Sequence, residues 1–160
     1  MHTMRNKQKG FSLIELLIVV AIILIIAAIA IPNLLRSRMA ANEASAVGSL
    51  RTINTAEVAY STTYNIGYSS TLPDLGPAAT ATSTTADLID SVLSAGIKSG
   101  YSFVYTPGTA DAQGHINTYA LTGVPVNTGV TGQRAFFTNQ SGVIRFNATG
   151  TADVNSTPLS

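Results

Sequence analysis

The chain has 160 residues, a formal net charge of +1 and no cysteine. That is room for one domain plus an appended segment, and it excludes disulfides, Cys-ligated zinc, thiol catalysis and CxxCH haem attachment. Charged residues make up 11%, well under the ~25% usual in soluble domains, and once Arg5, Lys7 and Lys9 are set aside six basic residues face eight acidic ones, so no basic surface points to nucleic acid.

The first predicted element is a long apolar run. From Phe11 to Leu35 the one ionisable residue is Glu15, and Leu16 to Ile31 is wholly apolar. As a helix, 25 residues span roughly 37 Å, enough to cross a bilayer core of about 30 Å. Arg5, Lys7 and Lys9 lead into it, which favours a cytoplasmic N-terminus, although Arg36 and Arg38 follow it. Two residues stand out. Glu15 costs about 2.5–3.5 kcal/mol at mid-membrane, less near the interface; it either snorkels to water or finds a partner. Pro32 removes a backbone donor and crowds the carbonyl of Ala28, which reads as a kink or the end of the helix.

Where the chain is cut decides what it becomes. Ala28-Ile29-Ala30 is an A-x-A pattern of the kind a signal peptidase prefers, but the run is long for a signal h-region and Glu15 interrupts its start. The small Gly10, between the basic leader and the apolar run, is a second plausible site. The third possibility is no cut, which leaves a plain anchor.

The stretch "KGFSLIELLIVVAIILIIAAIAIPNLLRSR" resembles the N-terminus of the type IV pilin and pseudopilin family, and the resemblance extends over roughly Lys9 to Tyr64. It implies a 1–10 leader removed by a prepilin peptidase after Gly10, with Phe11 N-methylated as the new first residue. Glu15 is implied to neutralise the N-terminal amine of an adjacent subunit, and Pro32 to mark a place where the helix unwinds locally in filaments. The implied partners are copies of the chain itself, an inner-membrane assembly platform with its ATPase, an outer-membrane secretin, and the membrane before assembly. The implied location is the inner membrane, single-pass with the N-terminus in the cytoplasm, and then the cell surface. No cofactor and no nucleic acid are expected.

After the apolar part at 11–35, the segment 36–64 turns amphipathic. Val47, Leu50, Ile53, Tyr60 and Tyr64, with Ala56 between them, recur at helical spacing, and Arg51 and Glu57 are read as lying off that stripe. Alanine is frequent and favours helix, while Gly48 costs about 1 kcal/mol relative to Ala. The pattern predicts one helix from about Phe11 to Thr63, stopped by Asn65-Ile66-Gly67, where Asn and Gly tolerate positive φ.

Residues 65–100 are expected to form a loop followed by a short helix. Pro73, Gly76, Pro77 and a Ser/Thr/Ala tract mark the loop, which is either an ordinary polar loop or an O-glycosylated one. In "TADLIDSVLSAGIKSG" Leu88, Ile89, Val92 and Leu93 share one helical face, with Thr85 as the expected N-cap and Gly96 or Gly100 near the stop. Residues 101–160 read as an antiparallel sheet. Strands are predicted at Tyr101 to Thr106 and at Ile116 to Gly123. A hairpin follows, from Arg134 to Thr138 and Val143 to Phe146 with its turn at Asn139 to Gly142. Three or four strands burying one face on the helix give an α+β fold, which is also the architecture implied by the pilin resemblance. Val154 to Ser160 reads as a loose tail.

No catalytic constellation is visible. His2 and His115 have no Cys or His partner. Asp87 and Asp90, spaced i, i+3, mark a solvated helix face rather than a working carboxylate pair. Asp111 with loop carbonyls is a weak calcium candidate. The sequons at Asn139, Asn147 and Asn155 carry no weight in a chain this rich in Ser and Thr. No aromatic lies between Phe11 and Tyr60, which argues against an electron-conducting core. The expected function is a major pilin polymerising through its N-terminal helix. The alternatives are a major pseudopilin of a type II secretion system and an anchored or signal-peptide-bearing adhesin that does not polymerise; an enzyme is not expected.

Overall fold

Between Leu13 and Tyr64 the sequence holds one proline, Pro32, and one glycine, Gly48, and it forms one helix, α1 (Leu13–Tyr64, 52 residues). The computed structural model describes residues 10–159; the leader residues Arg5, Lys7, Lys9 and His2 and the terminal Ser160 lie outside them. Two compact units divide at Ser37 and Arg38. In the first unit the helix is apolar on every side, and almost all of its residues are exposed. Pro32 does not end the helix, which continues through it.

In the second unit α1 buries one face. Ala46, Leu50, Ile53, Glu57 and Tyr60 follow steps of four and three, and all five are buried. Glu57 therefore lies on the apolar stripe, contrary to the sequence reading: four residues after Ile53 and three before Tyr60, it falls on the same face. Arg51 is exposed as expected. The helix stops at Asn65 (φ 54°) and Gly67 (φ 83°). Gly67 also passes so close to Ile116 that a Cβ would run into its carbonyl, and the next residue, Tyr68, donates its N–H to that oxygen at 2.7 Å.

The loop after α1 contains a single 3-10 turn at Leu72–Leu75. Only Ser91–Ser94 becomes the short helix α2. Its N-cap is Asp90 rather than Thr85, and one Asp90 carboxylate oxygen accepts from Val92 N and Leu93 N at 3.0 and 2.9 Å. Asp87 has φ 55°, which breaks any helix running through it, so Asp87 and Asp90 do not share a helical face. Ile89 and Leu93 are buried, whereas Val92 is exposed, correcting its place in the predicted apolar face.

Six strands form one antiparallel meander in chain order: β1 (Ile97–Lys98), β2 (Tyr101–Pro107), β3 (Tyr119–Pro125), β4 (Ala135–Asn139), β5 (Arg145–Asn147) and β6 (Thr157–Pro158). The predicted hairpin is present, with Phe136 opposite Phe146 and Gly142 at φ 72° in its turn. Alternation along β2 and β3 turns Tyr101, Phe103, Tyr119 and Leu121 toward the α1 stripe, where they join Leu50, Ile53, Leu93 and Phe136 in one core. β4 is buried on both faces because Ala152 covers Ala135 and Phe137 from outside. The predicted loose tail is thus incorrect over its middle: Thr157 pairs with Phe146 in β6, and Leu159 N–H donates to Ile144 O at 2.8 Å. Two-residue strands such as β1 and β6 carry no alternation to read.

A second layer of order comes from polar side chains of α1 that reach the head. Asn42 donates to Thr131 O at 2.8 Å. Asn54 accepts from the Tyr119 hydroxyl and donates to Thr138 Oγ1, both at 2.9 Å. Glu43 is buried and accepts from Gln133 N, Arg134 N and Arg134 Nε at 2.9, 3.0 and 2.8 Å. Burial pushes the Glu43 carboxyl up, but the two backbone donors and the guanidinium outweigh it, so the group stays below its ordinary value. Arg134 also lies over the rings of Phe136 and Phe146, at 5.5 and 5.4 Å.

Two stability outcomes follow, read by chemical denaturation of the full chain in detergent. Leu50→Ala, at a fully buried site, is expected to cost about 2–5 kcal/mol, while Val58→Ala, on the same helix but 60% exposed, stays within about 0.5 kcal/mol. Similar costs for both would mean the stripe is not the seam. Glu43→Gln is expected to cost about 2 kcal/mol at pH 7. Because the Glu43 carboxyl is lowered on folding, its contribution is present above pH 4.5 and fades as the pH falls. A penalty that grows toward acid would contradict the pairing.

Candidate functional site

The residues singled out in the sequence lie in the first unit. Gly10 is exposed with nothing near its α-carbon where a Cβ would sit. Phe11 is 85% exposed. Ser12 precedes the first helical residue, and Glu15 stands three positions later, the spacing at which a glutamate reaches back to the free donors of a helix start. It does so: Glu15 Oε2 accepts the Ser12 N–H at 2.9 Å. Its charge also lies at the positive end of the helix dipole.

From there the surface of α1 is aliphatic. Leu13, Leu16, Leu17, Val20 and Leu24 follow one another along one side, and their large side chains are exposed. The helix is long and apolar enough to cross a membrane, and none of its most apolar stretch is buried. Pro32 sits 17 positions beyond Glu15, roughly 25 Å along the axis, so the two anomalies are separate features. Without an N–H, Pro32 leaves the carbonyl of Ala28 short of its usual helical donor.

The head gathers no reactive cluster. Among the described residues, no three His, Asp or Glu side chains come together as a metal site. Asp111 is occupied by its own loop: one carboxylate oxygen accepts from Gln113 N and His115 N at 3.0 and 2.8 Å, and the other from Asn117 Nδ2 at 3.0 Å. His115 Nδ1 stands 3.9 Å from that second oxygen. Asp90 pairs with Lys98 at 2.8 Å on the surface. Asn139 and Asn147 bind backbone N–H groups two residues on, at 3.0 and 3.1 Å, as turn-forming asparagines do.

Sequence reasoning missed both buried carboxylates, Glu43 and Glu57. Glu57 is fully buried. Its Oε2 accepts the Ser69 N–H at 3.0 Å, and its Oε1 accepts the Ser69 hydroxyl at 2.6 Å. The signal for Glu57 is its helical spacing from Ile53 and Tyr60, against which its charge argues.

The prokaryotic N-terminal methylation motif matches residues 5–31 of the chain. A "Type IV wide pilus major component PilA4" of Thermus thermophilus is 68% identical over 40 residues, which is 25% of this chain and 30% of that protein. A "Type IV major pilin protein PilA" of Myxococcus xanthus is 44% identical over 54 residues, 34% of this chain and 24% of that protein. The match thus spans less than a third of either relative. No solved structure matches the chain. The chain thus carries the prokaryotic N-terminal methylation motif and is similar to type IV pilins over its N-terminal quarter to third.

Proposed function

We propose that the chain is the major subunit of a type IV pilus-like surface filament. A prepilin peptidase removes the leader after Gly10 and N-methylates Phe11. The single observation that carries this reading is the exposed aliphatic surface of α1 up to about Leu35. At roughly 25 cal/mol per Å² of apolar surface, such a helix stays in lipid until a surface equally apolar replaces it, and the same segment of other copies is such a surface. Both relatives are named as type IV pilins, which favours a pilus over a secretion pseudopilus.

In this reading the subunit waits in the inner membrane with its N-terminus in the cytoplasm, and an assembly platform with its ATPase lifts it out. Because lipid is as apolar as a neighbouring helix, packing and charge pairing must supply the preference for the filament. Glu15 gives up its bond to the Ser12 N–H, or shares it, when it meets the N-terminal amine of the next subunit. Pro32 lets the backbone near Ala28 open, since one helical bond is already absent there. A secretin then passes the filament to the surface.

Two measurements test this. Mass and N-terminal sequencing of the protein from sheared surface material should give a chain starting at N-methylated Phe11. A start at Ile31 would assign the apolar run to a discarded signal peptide and end the proposal. Glu15→Ala should still be cleaved and inserted, but its sheared filaments should fall more than about a hundredfold, because a buried amine left unpaired costs about 3–5 kcal/mol. Undiminished filaments would remove Glu15 from assembly.

A further inference from the structure

We propose that the loop between β3 and β4, residues 126–132, with Ile97 beside it, is a membrane-contacting surface of the head. Before assembly it rests on the headgroup region of an anionic bilayer, and Arg38 meets the lipid phosphates. The inference rests on the reading that α1 lies in a bilayer at that stage.

The surface is apolar at its tips. Val126 and Val130 are 52% and 62% exposed, and Ile97 is 59% exposed. Gly100 joins the two segments: a Cβ there would meet the Thr131 side chain at 2.8 Å, and its carbonyl accepts the Val126 N–H at 2.9 Å. Exposed valines scattered singly are ordinary. What distinguishes these is the backbone that carries them. Val130 N–H and Thr131 N–H both donate to Asn127 O, at 3.0 and 2.9 Å, and Gly129 N–H donates to Gly132 O at 2.8 Å. Asn127 N–H donates to Thr131 Oγ1 at 3.1 Å. The loop therefore binds much of its own backbone without water. That is what a segment needs where lipid replaces water, because an unpaired backbone group there is costly.

The covalent chain keeps this surface near lipid. Thr131 O accepts from Asn42 Nδ2 at 2.8 Å, and the Ser99 hydroxyl accepts from the Ser45 hydroxyl at 2.8 Å. Asn42 stands seven positions after Leu35, the end of the apolar run, which is roughly 10 Å of helix and at most about 25 Å of extended chain. With the run in a bilayer, the loop is held at high effective concentration against the membrane surface, so weak apolar tips suffice.

Charge within the head is distributed to match. Residues 97–102 and 126–134 contain no Asp or Glu. The acids that do approach are neutralised: Glu43 by Arg134 and Asp90 by Lys98, both at 2.8 Å. Arg38 is exposed and makes none of the ion pairs among the described residues. Other acids lie toward the far end of α1. Asp74 faces Glu57 and Tyr60, and the Asp111 loop reaches Gly67 through Ile116. Glu57 is 15 positions beyond Asn42, roughly 22 Å along the axis. An end with apolar tips and a free guanidinium, and with its acids already paired, fits an anionic lipid surface. A second copy presenting the same end would bring two Arg38 side chains together.

The chain has no cysteine, so one introduced cysteine carries one label. Full-length Val130→Cys and Val126→Cys, each bearing an environment-sensitive fluorophore, are placed in vesicles of equal parts phosphatidylcholine and phosphatidylglycerol. Both labels should be quenched by a lipid with a nitroxide on its headgroup. A label at Val58→Cys, also exposed but farther along α1, should not be. Arg38→Gln should lower the quenching at position 130 by up to about fivefold, the weight of one basic residue at an anionic surface, and should change little in vesicles of phosphatidylcholine alone. Ile22→Cys with a nitroxide on the acyl chain reports the anchor separately: no quenching there would mean that α1 is not in the bilayer. Quenching at 22 with none at 126 and 130 would overturn the membrane surface alone. A blue-shifted label at 130 that ignores the headgroup nitroxide and follows the protein-to-lipid ratio would assign the loop to another copy, and would equally overturn it.

Discussion

The head is organised by the alternation of four and three along the second half of α1. Ala46, Leu50, Ile53, Glu57 and Tyr60 make one buried line, and the sheet is laid against it. The order of the meander matters less than this line, because each inward side chain of β2, β3 and β4 needs an apolar partner that α1 supplies. Phe103, Leu121 and Phe136 have no other face to share. Without the helix the sheet would expose its aromatic face, and a six-stranded open meander with two-residue edges would have little else to hold it.

Glu43 and Glu57 show what that line tolerates. They are 14 residues apart, and each occupies a position on the buried face. Glu43 meets a guanidinium and two backbone donors, and its charge is held. Glu57 meets a single serine, and its charge is opposed. Glu57 is also the more deeply buried of the two, and depth and partners together decide how a buried carboxylate carries its charge. Asn42 and Asn54 add neutral anchors at part-buried positions. In a chain without cysteine, these polar contacts do the cross-linking that small secreted domains often leave to disulfides.

Much of this was legible in the sequence. The apolar run, the helix stop at Asn65 and Gly67, the aromatic alternation in β2 and the hairpin after Arg134 all rest on local patterns, and each appears where its pattern placed it. What was not legible is non-local. Asp87 takes a left-handed conformation, and the helix expected around it shrinks to Ser91–Ser94. Thr157 and Pro158 become a strand only because β5 offers an edge. Val92 lies within that short helix but points to solvent, because one turn has too few residues to keep the predicted apolar face against the core. Glu57 is a different kind of miss, since its position was readable and its residue type argued the other way. In the first unit Gly10, Glu15 and Pro32 stand out from the residues themselves, but their roles, and Phe11, come only through the family resemblance, because composition alone left three cuts open.

The three glutamates then separate by what surrounds them. Glu15 lies exposed on an aliphatic helix and accepts the Ser12 N–H of its own chain, a contact that satisfies a helix start but leaves the carboxylate open to a stronger donor. In water that openness is of little consequence. Against lipid or other apolar helices the surroundings cannot solvate the charge, and a cation arriving at the same oxygen would gain far more than it would at the surface. An exposed, self-capped carboxylate at the start of an otherwise uninterrupted apolar surface is therefore in the one state of the three that another molecule can complete. Glu43 and Glu57 have no such vacancy, because the head has already closed over both.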